Sequence, residues 1–508
     1  MVYVSSDRVT VSPVRWSVQE NFGHAEIRMP DLLFSTKEFV VAFLDDDFLL
    51  GTQLSRELFH EVAENLPLVD YHCHLHAKEI YEDPNFDNIV DAWLTDGHNY
   101  GDHYKWRLER ANGIPERLIT GDGDPWDKFM AYARTMEQAV GSPVYLWTHM
   151  ELQRYFGIRE PLTTKTAKSI FDQTNEQLAT PDFSRRALLR RMNVKIVCTT
   201  DSPEDNLEYH DQFAKEGESF RMVPAFRPDA ALNPSAKGYG DWIGTMESVC
   251  GKPINDFSGL VDALRDRVEY FHQHGSRLSD HAVDVVEFAP ATVENLNAIF
   301  SKARAGLYLD RHEQAQYRAA LLLELMRIYK DKGWTMQLHL QASRNNNSTA
   351  FRKLGADTGY DSMADNSVAA PLAALLDQAQ SSNILPRTIV YSLNPNDYMA
   401  IATDLGCFGG DDRGQLQLGN AWWFNDTVTG MRRQLEVLAE TSLLGNAVGM
   451  TTDSRSFLSF PRHELFRRVL CGLLGDWAAQ GIIPDDKEYL APLVRAVSYE
   501  NALALFES

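Results

Sequence analysis

No segment of the 508 residues reaches the roughly 20 consecutive apolar residues that a membrane-spanning helix needs. The most apolar early run, Phe39 to Leu44, is short and is followed at once by Asp45, Asp46 and Asp47. The start of the chain also lacks the basic-then-apolar pattern of a secretory signal. Cysteine is scarce and scattered: Cys73, Cys198, Cys250, Cys407 and Cys471 form no CxxC pair and no framework spacing. They read as reduced thiols, and a cytoplasmic location is the expectation. Positive charge is in deficit, with 49 Lys and Arg against 71 Asp and Glu and a net charge of −22. That balance argues against nucleic acid as a partner, because backbone phosphates demand a basic surface. It would also repel an anionic ligand, unless a few arginines inside a pocket dominate locally within a screening length of about 8 Å. Internal repeats and low-complexity tracts are absent.

What is present is material for a large core: 44% hydrophobic and 24% charged residues, close to the averages for soluble globular proteins. Residues 1–45 mix Pro, Ser and charge with little periodicity and read as an N-terminal extension, with one elaborated domain over 46–508. Eight short segments rich in β-branched or aromatic residues can be picked out: Leu68–Leu75, Val194–Thr200, Arg221–Phe226, Ser276–His281, Thr335–Leu340, Thr388–Leu393, Gln415–Trp423 and Val448–Thr452. Amphipathic stripes alternate with them, such as Met431, Leu435, Leu438 and later Leu465, Val469, Leu473. Eight strands alternating with helices predict a closed (β/α)8 TIM-like barrel. Residues 77–190 form a long helical insertion after the first strand, hence on the catalytic face. Helical patterns are expected there at Phe86–Leu94, His103–Ala111, Trp126–Ala139, Tyr145–Phe156 and Thr164–Leu178.

The chemistry begins at the end of the first strand, Asp70-Tyr71-His72-Cys73-His74-Leu75. Residues two apart on a strand share a face, so His72 and His74 converge into the barrel, where two imidazoles can bind one divalent metal. Cys73 faces the other way, into core. A third ligand must come from another strand end, and Asp453, directly after Val448–Thr452, supplies one. Two histidines on the first strand with an aspartate on the eighth is the arrangement of the amidohydrolase superfamily of metal barrels, which this chain resembles. The sixth strand ends Asn394-Pro395-Asn396-Asp397 with no histidine, which favours one metal over two.

Several strings make the resemblance specific: DYHCHL (70–75), GDHYKWR (101–107), WTHMEL (147–152), CTTD (198–201), FRPD (226–229), SDH (279–281), QLHL (337–340), RNNN (344–347) and TDSRSFLSFPRHE (452–464). In order and spacing they resemble the uronate isomerase family over roughly residues 45 to 505. The resemblance implies an amidohydrolase-type barrel that isomerises D-glucuronate to D-fructuronate and D-galacturonate to D-tagaturonate, a small hexuronate being the substrate. By motif, His72, His74 and Asp453 would hold one divalent ion, with zinc expected from the His/His/Asp set. Tyr104 would remove the C2 proton, with His103 beside it and Asp453 moving the proton at C1. An ordinary tyrosine titrates near about 10, so a neighbouring guanidinium is needed, and Arg227 is the expected one. Arg455, Arg344, His339 and Asp280 would bind substrate, the arginines gripping the carboxylate in a bidentate fork. The chain departs from the family at His76-Ala77 after HCHL, at extra residues around Gly97–Tyr100, and in its first 40 residues.

Other residues have plainer readings. His149 lies in an apolar aromatic stretch and reads as a satisfied core histidine; His98 reads as a loop side chain. Asp201 caps the turn before Pro203, and His281 either serves the site or holds Asp280. Arg185-Arg186 and Arg190-Arg191 read as solvated helix faces. The competing functions are a metal-dependent hydrolase of a sugar-like amide or ester, which the same barrel would serve, and a non-catalytic binding protein. Large barrels commonly self-associate, so a homo-oligomer is expected.

Overall fold

Strands β1 (Leu68–Asp70), β2 (Val194–Asp201), β3 (Arg221–Phe226), β4 (Leu278–Val283), β5 (Thr335–Leu340), β6 (Arg387–Ser392) and β7 (Leu416–Leu418) run parallel in one sheet in that order. They belong to a computed structural model that describes residues 43–95, 101–410 and 412–507. All but residues 43–45 of the expected N-terminal extension, together with His98 and the extra residues 97–100, lie outside the described residues. Helices alternate with the strands, including Phe257–Gln273, Arg311–Lys332 and Val428–Thr441. No helix among the described residues is long and apolar enough to cross a membrane.

The two-residue period of the strands sorts their side chains into two cores. Val69, Tyr71, Ile196, Cys198, Val223, Ala225, Ile389 and Tyr391 pack together on one side. Leu68, Val197, Met222, Phe226 and Val390 pack into the larger cluster with the helices. Each fully buried Val, Leu, Ile or Phe contributes roughly 1.5–3 kcal/mol, so a one-residue slip in any strand would exchange the two cores and is excluded energetically.

The expected eighth strand is not a strand. Among the described residues the barrel sheet has seven, and Val448–Thr452 is irregular. Its place is nevertheless that of an eighth stave, because it is tied to both edges of the sheet. The Val448 amide donates to Gln417 Oε1 on β7 (3.0 Å), Tyr71 donates its hydroxyl hydrogen to Gly449 O (3.1 Å), and the Thr452 amide donates to Asp70 Oδ1 on β1 (2.7 Å). Side chains have taken the ladder's donors, and Gly449 at φ +82° breaks the extended run. A Cβ there would lie 2.2 Å from Val497 O, so only glycine fits. The first strand is likewise shorter than expected: after Asp70 the chain keeps isolated bonds, Cys73 N to Cys198 O (3.1 Å) and His74 N to Ser454 O (2.9 Å).

The insertion after β1 carries helices His103–Ala111, Pro125–Gln138, Pro143–Phe156 and Ala167–Leu178 close to where their patterns predict them, joined by irregular stretches, while the helix expected over Phe86–Leu94 is only the short Ile89–Trp93. The first of the four carries GDHYKWR. Asp102 caps it, accepting from the Tyr104 amide at 2.9 Å, and Gly101 lets the Trp106 ring close over the turn, where a Cβ would overlap that ring. The cap and the ring together fix where His103 and Tyr104 begin.

Candidate active site

At the carboxyl ends of the strands, Asp453 Oδ1 stands 3.0 Å from His72 Nε2 and 3.0 Å from His74 Nε2. Asp453 sits at φ +47°, and its amide donates to His72 O (3.1 Å) while Trp422 Nε1 donates to its Oδ2 (2.6 Å). Burial opposes ionisation of Asp453, yet hydrogen bonds from the two imidazoles hold its carboxyl well below the ordinary carboxylate range. Burial lowers His74 to about 4.

A second group of donors adjoins the first. His339 Nδ1 lies 2.6 Å from Asp280 Oδ1, and His72 Nδ1 lies 3.9 Å from Asp280 Oδ2. Two donor sets, His72 with His74 and Asp453, and His72 with Asp280 and His339, each bring ligand atoms close enough to share a cation. His72 Nδ1 and His339 Nε2 are buried without a hydrogen-bond partner, which is costly unless something binds them. The residues present therefore fit a divalent ion. The strand pairing explains the second set: β4 and β5 place Asp280 beside Gln337 and Ala282 beside His339, so the inward residues of neighbouring strands meet. His281 faces the other way and bonds Gln337 O (2.9 Å) and the Tyr329 hydroxyl (3.1 Å), a structural place remote from the pocket.

Guanidinium groups rim a cavity of about 270 Å³ above these donors, with Arg227, Arg344 and Arg455 in its lining. His103 also lines it, its ring 4.5 Å from that of Tyr104 and 5.1 Å edge-on to Trp423. Burial, with Arg455 adding to it, lowers His103 to about 4. Tyr104 belongs to a narrower adjoining recess that it shares with His103, Asp453 and Arg455.

One electrostatic expectation is corrected. Arg227 is not the cation beside Tyr104: its Nε donates to Asp229 Oδ2 (2.6 Å) and its terminal nitrogen pairs with Asp280 Oδ2 (2.9 Å). A guanidinium held by two carboxylates at the end of β3 is committed to the second donor set. The cation near the phenol is Arg462, 5.8 Å from the Tyr104 ring centre and 3.8 Å from that of Trp147, with Asp426 at 3.4 Å. Burial and Asp453 push the Tyr104 phenol well above its ordinary value, and Arg462 opposes them.

Several site residues carried no signal in the linear sequence. Trp422 and Trp423 look like core aromatics but line the pocket, and Asp357 stands in it beside Arg344 and Arg455. Arg462, 2% exposed, sat unremarked inside the RHE string on a helix whose first turns are almost wholly buried. His149 matches its plain reading, bonding Tyr145 O (2.7 Å) and accepting from the Leu162 amide (2.9 Å). The arginine runs are not simply solvated: Arg185 is buried and Arg186 reaches the Ile80 carbonyl at 2.7 Å.

A parallel α/β barrel that gathers two imidazoles from the segment just after β1 and an aspartate from the end of the eighth stave, in a set that fits a divalent ion, is by fold and site a barrel enzyme of the amidohydrolase type. Comparison with known proteins then narrows the class. The family model for glucuronate isomerase matches residues 40–506. A uronate isomerase from Lactococcus lactis subsp. cremoris is 47% identical over 460 residues, 90% of this chain and 96% of its own. The crystal structure of the Thermotoga maritima uronate isomerase superposes with a TM-score of 0.86 at 34% identity, covering 92% of this chain and 100% of that one. The glucuronate isomerase of Caulobacter crescentus gives 0.84 at 25% identity, covering 92% and 97%. This chain belongs to the glucuronate isomerase family.

Proposed function

We propose that the strand-end pocket interconverts the aldehyde and keto forms of hexuronates, D-glucuronate with D-fructuronate and D-galacturonate with D-tagaturonate. The observation that carries this reading is the juxtaposition of three guanidiniums with the His72, His74 and Asp453 cluster in one cavity. Isomerisation takes a proton from C2 of the open-chain sugar, passes through a cis-enediolate and returns a proton to C1. The acidic substrate needs cations in a chain whose net charge is −22, and Arg344 and Arg455 supply them at the rim, where a guanidinium meets a carboxylate in a fork.

Tyr104 is assigned to the proton at C2 and Asp453 to the proton at C1. The phenol is protonated and Asp453 ionised at rest, so the phenol acts as a base once its proton has passed to Asp453 as substrate enters; Asp453 then delivers that proton to C1, the phenolate takes the one from C2, and Arg462 favours the phenolate. His103, neutral because burial lowers it, orients substrate hydroxyls without adding charge. Asp280 and His339, bonded to each other, hold the floor of the pocket beneath the sugar. His72, His74 and Asp453 would hold one divalent ion, zinc by the chemistry of the donor set, which when bound supplies a Lewis acid for the substrate's oxygens. Five free thiols accord with action in the cytoplasm, and assembly is as a homo-oligomer.

Incubation of the purified protein with D-glucuronate and with D-galacturonate, followed by assay for the ketose, tests the reading. Ketose formation is expected with at least one of them. Silence with both would overturn it.

A further inference from the structure

Asp357 occupies the place a substrate carboxylate should take. Its Oδ1 lies 3.6 Å from a terminal nitrogen of Arg344 and its Oδ2 lies 3.6 Å from a terminal nitrogen of Arg455, so one carboxylate spans the two arginines of the rim. Both separations exceed hydrogen-bonding distance, and the three side chains are 28%, 24% and 47% exposed. The pairing is therefore coulombic and loose, weaker than the fork at roughly 2.7–2.9 Å that a bound carboxylate would make.

The backbone around Asp357 is built to present it. Gly355, Asp357 and Gly359 all adopt positive φ, at +86°, +57° and +92°. The flanks of this loop are fixed. Residues Ala342–Ser343 and Ser362–Met363 pair as a small antiparallel ladder, and the Asn345 amide donates to Asp361 Oδ1 at 2.6 Å. The loop also leans on the helix that carries His103 and Tyr104: Arg107 donates to Asp361 O (2.6 Å) and Arg110 donates to Thr358 O. Firm flanks and a left-handed tip hold the Asp357 carboxylate out toward the two arginines.

We propose that Asp357 is an internal surrogate for the substrate's carboxylate: it bridges Arg344 and Arg455 in the empty site and its side chain is displaced when a hexuronate binds. This rests on the reading of those arginines as the carboxylate receptor. Arg344 also pairs through its Nε with Asp284 Oδ1 (3.4 Å), so the surrogate adds a shared counter-charge for Arg344 and Arg455, and it sets a threshold. A ligand enters only if its own anion outcompetes Asp357, so neutral sugars are discriminated against. The linkage has a definite sign, because a competing internal carboxylate reduces apparent affinity by the fraction of time it holds the receptor.

Asp357→Asn tests this, since asparagine tolerates the left-handed backbone and removes only the charge. The probe is L-gulonate, the C1 alcohol of D-glucuronate, which has the same carboxylate and no aldehyde to isomerise; binding is read by calorimetry. Asp357→Asn should bind it about three- to tenfold tighter than the parent, the scale set by two exposed ion pairs. Asp357→Glu, which keeps the charge, should stay within about twofold by the same reasoning. Arg455→Met should weaken binding at least roughly tenfold. Unchanged or weaker binding by Asp357→Asn, with Arg455→Met still weakened, overturns the surrogate alone. Undiminished binding by Arg455→Met overturns the receptor reading beneath it.

Discussion

Glu109 lies on the helix that begins with His103 and Tyr104, is 0% exposed, and has neither carboxylate oxygen hydrogen-bonded. Burial raises its pKa from 4.5 to about 8; Arg110 and Lys128 oppose the shift and Glu116 adds to it. The folded state thus holds a proton that the unfolded chain releases near pH 4.5. Stability from this group is full below that pH and is lost as pH rises toward 8. At about 1.4 kcal/mol per unit over roughly 3.5 units, the loss by pH 9 is about 5 kcal/mol. Glu109→Gln removes the titration and keeps the shape, while its amide, still without partners, costs about 1–2 kcal/mol at every pH. The variant should therefore be slightly less stable than the parent at pH 5 and more stable by about 3–4 kcal/mol at pH 9. Urea denaturation of both proteins at pH 5, 7 and 9 measures this, and the other buried carboxyls cancel in the difference. A parent as stable as the variant at pH 9, or a difference that does not change with pH, refutes the reasoning.

Replacing Tyr104 by Phe should lower kcat by roughly 10²–10³ with little change in KM, because a proton-transfer group is lost and no carboxylate contact is; near-normal turnover would remove Tyr104 from the chemistry. Arg462→Met should cost about 3 kcal/mol of stability, at the low end for a broken buried pair because Asp426, pushed by burial to about 7, can take up a proton. It should also lower kcat, and a variant unchanged in both melting temperature and kcat would show that Arg462 neither holds nor tunes the phenol. Dialysis against a chelator should release about one divalent ion per chain, and Asp453→Asn should bind at least roughly tenfold less metal; full metal content in that variant would place the ion elsewhere.

Much of the architecture was legible in the linear sequence because it follows from local rules. A two-residue period in β2, β3 and β5 can be satisfied only by a strand with a core on each face, and those three segments fall within a residue or so of their expected bounds. GDHYKWR begins with a cap and a glycine, and the helix starts at His103. The HxH string does bring two imidazoles together, but just past the strand, since regular pairing stops at Asp70 and the two rings meet at Asp453. The expectation failed where a local pattern competes with distant partners. Val448–Thr452 has strand composition, but Gln417 and Asp70 capture its donors.

Tertiary structure alone decided which charges meet. The sequence points to Arg227 as the neighbour of Tyr104 and gives no hint of Arg462, since pairing in three dimensions depends on where two helices and a strand end come to rest. Asp229 and Asp280 claim the first, and the Trp147 face and Asp426 receive the second. Asp357 standing between Arg344 and Arg455 has no linear signature either, because the contact spans nearly a hundred residues and depends on a left-handed loop tip. Periodicity and capping are properties of neighbouring residues and are written in the chain. Electrostatic partnership is a property of positions in space, which exist only once the barrel has closed.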